Sequence, residues 1–366
     1  MAKIFGRSYN KRQILDRVGD ISQLIQARQA TMSDGFSKGT DIVEITNASG
    51  LQFSLLPGRA LDIASASYKG HSLCFRASPG DVNPAFYEPE GFGWLRGWCG
   101  GMLTSCGMTF VGHPEIDPEI ENELLPLHGR LSYIPGRDIA INNQWIENDF
   151  ELSVSGKMRE SAVFGPNLEL TRRISSKLGE KFIRISDSIE NLSVNPSPLM
   201  FVYHCNPGFP ILDSGSRFVI HSSQSTEWLE DKPVENHEYT TVNSPQAREK
   251  DDVFVHRPIA DKDGNVHVAL INDRLELGIY WIFNQSEMPL LNHWLHYHKG
   301  TYVAGIEPGN VSVLGREWNR KNNYLKEIKP GEVRNFNLEI GILEGKKEIT
   351  RFERNVVRNL VHKKQS

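Results

Sequence analysis

Past residue 40 the apolar positions of the chain fall in short runs rich in β-branched and aromatic residues, separated by clusters of Gly, Pro, Asn, Asp and Ser. Such runs read as strands and such clusters as the turns between them. Runs 40–47, 51–56 and 61–68 form a meander. Further strands are predicted at 139–146, 150–158, 168–174, 181–190, 199–204, 217–222, 237–242, 253–257, 266–272, 275–284, 301–307 and 334–343. Helical spacing is confined to the ends. Ile14, Leu15, Val18, Ile21, Leu24 and Ile25 recur at helical intervals and predict a peripheral amphipathic helix over 11–27, while Ile349, Phe352, Val356, Val357 and Leu360 predict a terminal helix over 348–362. So many strands without helices between them imply antiparallel sheets packed face to face. The expected architecture is all-β, a large antiparallel β-sandwich over 40–345 with short helices at the termini. With no Pro/Ser-rich linker and no fixed-period repeat, 1–366 reads as a single domain.

Residues 78–127 break the rhythm. Pro79-Gly80-Asp81, Pro89-Glu90-Gly91 and Trp94-Leu95-Arg96-Gly97-Trp98 crowd turn formers and aromatic planes into one stretch, the composition of a long structured loop that carries function rather than core. Charge narrows the partners: 41 Lys and Arg stand against 45 Asp and Glu, a formal net charge of −4, which gives no electrostatic footprint for nucleic acid or anionic lipid. No apolar run reaches the roughly 18 residues of a membrane span, and the opening Met1-Ala2-Lys3-Ile4-Phe5-Gly6 lacks the apolar centre of a secretory signal. A cytoplasmic protein is expected. Cys74, Cys99, Cys106 and Cys205 have neither CxxC nor zinc-type spacing and read as free thiols.

Candidate chemistry sits at strand ends. Phe201-Val202-Tyr203-His204 is an apolar run that ends in a histidine and breaks at Pro207, Gly208 and Pro210; Tyr302-Val303-Ala304-Gly305-Ile306-Glu307 ends in a carboxylate and breaks at Pro308-Gly309. Each alone has an ordinary alternative, a satisfied structural histidine or a solvated glutamate. Together they offer an acid and a base on rigid supports, able to move protons on a neutral substrate. Cys205 beside His204 does not make a nucleophile–base pair, because adjacent strand residues face opposite ways. In Asn292-His293-Trp294-Leu295-His296-Tyr297-His298, alternation puts Trp294, His296 and His298 on one face and His293 on the other, so a three-histidine metal cluster is geometrically awkward and Trp294 reads as a plane for a sugar face or for packing. His128 precedes Gly129 and is either a turn histidine or a ligand contact. Arg59 and Asp62 suggest an exposed ion pair of little energetic weight, and Arg96 is a weaker site candidate. No dinucleotide fingerprint, P-loop or GxSxG elbow is present.

The stretch from Ile189-Glu190-Asn191-Leu192 to Val202-Tyr203-His204, with Leu127-His128-Gly129, Ile306-Glu307-Pro308, Gly58-Arg59-Ala60-Leu61-Asp62-Ile63 and Gly100-Gly101-Met102-Leu103-Thr104-Ser105-Cys106-Gly107, resembles the aldose 1-epimerase (galactose mutarotase-like) superfamily in its branch of bacterial aldose-epimerase-like proteins, over about 40–345. The resemblance implies a β-supersandwich with a sugar site on a concave sheet face. It assigns His204 as general acid, Glu307 as general base and His128 as a contact to sugar hydroxyls. It also places a substrate aspartate at Asp251 or Asp252, where the arginine usual after it is absent, and a substrate arginine at Arg59 or Arg96. The implied activity is interconversion of the α and β anomers of a free sugar by ring opening and reclosure, with neither cofactor nor metal. A mutarotase of sugar phosphates, needing convergence of residues such as Arg59, Arg76, Arg96 and Arg130, and a non-catalytic carbohydrate-binding protein are the alternatives. The expected partner is a small sugar, and the open sheet edges offer a route to a homo-oligomer.

Overall fold

Strand after strand pairs antiparallel with a neighbour, and a computed structural model of the chain describes all residues except 118–123, 229–231, 235–237, 248–250 and 364–366. An eight-stranded sheet runs in the order Arg137–Ile146, Asp149–Ser161, Asn167–Lys177, Phe182–Asn191, Val333–Glu344, Leu277–Asn284, Asn265–Asn272, Arg217–Val219. A seven-stranded sheet runs Ser222–Glu227, Asp252–Pro258, Leu290–His298, Thr301–Gly309, Ser197–His204, Lys326–Ile328, with Thr104–Met108 also paired to Ser197–His204. A five-stranded sheet is built from Ile25–Thr31 through His71–Ser72. One apolar core joins residues of all three sheets. The protein is a large antiparallel β-sandwich.

The strand Ser197–His204 explains how the site is positioned, because every one of its residues is buried. Period-2 alternation divides them. Leu199, Phe201 and Tyr203 enter the main core, where Phe201 packs on Phe336 of the eight-stranded sheet. Met200 and Val202 join a second cluster with Trp94, Trp98 and Phe110 on the opposite face. His204, two residues beyond Val202, projects on that second face. Thr301–Gly309 divides in the same way, with Ala304 and Ile306 in the main core and Glu307 opposite.

Several sequence expectations are corrected. The helix expected over 11–27 is only Lys11–Leu15, started by an Asn10–Gln13 capping box and ended at Asp16. Ile25–Thr31 is a strand paired with Asp41–Asn47, because Ile25 gains core burial and its backbone a ladder partner there. Within the supposed loop 78–127, Thr104–Met108 is a fully buried strand; its polar and small residues hid it. The strand expected at 237–242 is a 3-10 turn at Glu238–Thr240, and His237 lies outside the described residues. A helix, Gly315–Lys321, occurs where none was expected, and the final helix runs Gly345–Lys363. Among the described residues no helix is long and apolar enough to cross a membrane.

Candidate active site

His204 and Glu307 meet. The strands that carry them are joined through the bridge of Cys205 to Ile306, which sets the two candidate side chains side by side, with His204 Nε2 3.2 Å from Glu307 Oε1. Both groups are buried. Gly305 makes room for the carboxylate: a Cβ at that position would lie 2.2 Å from Glu307 Oε1. Asn292, opposite Glu307 in the ladder, donates from Nδ2 to the Glu307 and Val311 carbonyls and accepts from Val313 N, so the backbone turn after the glutamate is pinned.

The pair forms the polar end of a cavity of about 450 Å³. Its walls include Phe92, Trp94, Trp98, Trp228 and Trp294, with His113, His128 and Asp251 among the few polar groups. Three rings surround the His204 imidazole, those of Trp98, Trp294 and His128, with centroids 5.9, 5.8 and 5.7 Å away. His128 is held in the left-handed region (φ 54°). Its N–H donates to the Gly112 carbonyl, and its own carbonyl accepts from Gly107 N. Gly129 is required beside it, since a Cβ there would lie 2.4 Å from the Phe110 carbonyl oxygen. The Nδ1 atoms of His128 and His204 are shut off from solvent without a hydrogen-bond partner among the described residues.

Burial governs the protonation of the pair. It pulls the His204 imidazolium down to about 4 and pushes the Glu307 carboxyl up to about 8. His128 is held well below the ordinary histidine value by burial and then by its histidine neighbours His204 and His113. At neutral pH the couple His204–Glu307 thus carries one exchangeable proton, and burial favours the uncharged arrangement with that proton on Glu307.

The remaining sequence candidates fall in three places. Asp251 and Trp294 line the cavity and are bonded to each other, Trp294 Nε1 donating to Asp251 Oδ2 at 2.9 Å. Arg59 is buried away from the cavity, under the aromatic loop: Nε donates to the Ser132 carbonyl at 3.0 Å, Nη1 to the Gly97 carbonyl, and the guanidinium lies over the Tyr133 ring. Asp62 is buried too and does not pair with Arg59; it accepts from Ser105 N and Oγ and sits 3.5 Å from Arg172 Nη1. The expected exposed Arg59–Asp62 ion pair is therefore replaced by two buried anchors. Arg96 is on the surface, paired with Glu88 at 3.1 Å. Cys205 points into the main core. The turn after His204 is not part of the cavity wall; Pro207 bridges to Cys74, and Asn206 O accepts from Phe75 N.

Sequence reasoning missed the roles of Gly305, Asn292, His113 and Trp228. The ladder register that sets Asn292 opposite Glu307 has no local sequence signal, whereas Gly305 lies two residues before Glu307 on the same strand and the tryptophans of the loop were visible as a composition.

The fold matches that of galactose mutarotase-like sandwiches. A candidate aldose 1-epimerase from Klebsiella pneumoniae is 24% identical and superimposes with a TM-score of 0.84 over 91% of this chain and 87% of its own. A galactose mutarotase-like protein from Clostridium acetobutylicum (15% identity, TM-score 0.62, 87% and 99% covered) and galactose 1-epimerase from Lactobacillus acidophilus (12%, 0.57, 88% and 99%) share the architecture. At these identities the likeness is one of fold. The chain belongs to the family described as a domain of unknown function, DUF4432, whose model matches residues 37–342. No functionally curated protein matches the sequence.

Proposed function

We propose that the protein is an isomerase of the aldose 1-epimerase type, interconverting the anomers of a free sugar. The observation that carries this reading is the 3.2 Å contact of His204 Nε2 with Glu307 Oε1 at the end of an aromatic cavity. Anomer exchange needs a proton removed from the anomeric hydroxyl and one delivered to the ring oxygen. Both oxygens are bonded to the same carbon, so the acid and base that serve them must themselves be neighbours. In ring opening, Glu307 as carboxylate takes the hydroxyl proton while His204 as imidazolium protonates the ring oxygen; the bond from C1 to the ring oxygen breaks and the aldehyde forms. The proton then resides on Glu307, the arrangement that burial prefers. Rotation about C1–C2 and attack on the other face run the transfers backwards. No electrons are exchanged with a partner, and every proton is returned.

A free sugar is favoured over a phosphorylated one because, among the described residues, no Lys or Arg lines the cavity, while two carboxylates do. A phosphate dianion beside Asp251, whose carboxylate is held, against the effect of burial, below its ordinary value by hydrogen bonds from His296 and Trp294, would meet like charge. Tryptophan planes instead suit the C–H faces of a pyranose or furanose ring. The experiment is a screen of free pentoses, deoxypentoses and hexoses and of their phosphates for accelerated anomer exchange by polarimetry or exchange NMR. Acceleration of at least one free aldose above its phosphate is the expected result; acceleration of phosphates alone, or of nothing, contradicts the reading.

A further inference from the structure

Next to the cavity, a second group of polar side chains is not used by the chemistry above. His296 and His298 lie on one face of the strand Leu290–His298, two residues apart, with their rings stacked at 3.8 Å. Asp251, just before the neighbouring strand Asp252–Pro258, reaches the same point. Asp251 Oδ1 is 2.6 Å from His296 Nδ1 and 3.3 Å from His298 Nε2, and one donor atom from each of the three residues lies within 4.8 Å of the others. His293, on the other face, belongs to a separate buried group with His256.

Two features distinguish this cluster from a chance surface ion pair. The atoms that face away from the common point are already held: His296 Nε2 is 2.8 Å from Thr301 Oγ1, and Asp251 Oδ2 accepts from Trp294 Nε1. Outer partners of this kind fix ring orientation and tautomer in metal sites. His298 Nε2, by contrast, is shut off from solvent and has no hydrogen bond among the described residues. It stands 3.3 Å from Asp251 Oδ1, at the common point.

We propose that Asp251, His296 and His298 form a divalent transition-metal site of the zinc type at the rim of the cavity. Two imidazoles and one carboxylate are the three-ligand set that leaves zinc a position for water or substrate. Binding would require the short His296–Asp251 contact to give up its proton and open until both atoms sit at about 2.0–2.2 Å from the ion. Because Asp251 and Trp294 also line the cavity, a cation held here is placed to take a hydroxyl of whatever occupies it. This goes beyond the epimerase reading and does not depend on it.

The test uses the untagged full-length protein, stripped with chelator and titrated calorimetrically with Zn²⁺, and in parallel with Co²⁺ followed by its visible ligand-field absorption. One equivalent is expected per chain. Thr301→Val, which removes only an outer partner, is expected to weaken binding roughly 10–100-fold, His298→Ala and His296→Ala more than that, and His71→Ala, exposed on the edge strand His71–Ser72 of the five-stranded sheet, not at all. Circular dichroism establishes that each variant is folded, with His298→Gln replacing any alanine variant that is not. Absence of Zn²⁺ binding to the wild type, or binding undiminished in the His296→Ala/His298→Ala double variant, overturns the proposal.

Discussion

One proton with two homes is the residue-scale description of the pair. With His204 drawn down to about 4 and Glu307 pushed up to about 8 by burial, the couple holds two protons below the lower value, one between them and none above the upper value. Anomer exchange needs one acid and one base at once. Below about 4 the base is lost and above about 8 the acid is lost, so kcat/KM is expected to follow a bell with limbs near those values, which belong to the couple rather than to either residue. A pH–rate profile on the free sugar checks this, and a rate still rising past pH 10 contradicts it. In the proposed mechanism the resting arrangement, with the proton on Glu307, is the one reached after ring opening. Ring-form substrate must therefore draw the proton across to His204 before reaction, over a contact already 3.2 Å long.

At the scale of elements, the site depends on a polar knot behind it. Tyr203, facing away from His204, donates to Asp187 Oδ2, and Asp187 accepts three hydrogen bonds from Arg172. Arg172 also donates to Ser105 Oγ and the Ala60 carbonyl, so one guanidinium ties the eight-stranded sheet to Thr104–Met108, to the turn before Asp62 and, through Tyr203, to the strand of His204. Removing one member of a buried charge cluster leaves the others uncompensated, at a cost of about 3–5 kcal/mol. Arg172→Met is expected to lower unfolding stability by about that much in urea titrations; a loss under about 1 kcal/mol would contradict the role given to it. None of this was legible in the sequence. Arg59 and Asp62 looked like a surface pair because both sit in a turn-like stretch, and nothing local reveals that Asp62 finds its cation 110 positions later, at Arg172. The false helix over 11–27 has the same origin: its apolar spacing suits a helix, but Ile25 is claimed by a ladder with Asn47.

For the whole molecule, the sandwich gathers positions 128, 204, 251, 294 and 307 into one cavity. The strand rhythm was legible because alternation and turn clusters are local, and so were His204 and Glu307, since each ends an apolar run at a proline–glycine break. What the sequence could not supply was the pairing of the strands, which puts the two ends 3.2 Å apart instead of on separate edges, or the burial of Arg59 beneath the aromatic loop rather than in the cavity. Both residues proposed as acid and base project from strands whose other face is main core, so conservative changes at positions 204 and 307 alter the cavity without touching the packing that holds the sheets together. The most direct measurement is anomer exchange by polarimetry, with the aldose that the screen identifies, for His204→Asn and Glu307→Gln beside the wild type. Each variant is expected to keep the wild-type circular dichroism spectrum and to lose at least about 100-fold in rate; rates like those of the wild type in both would contradict the assignment of the pair as acid and base.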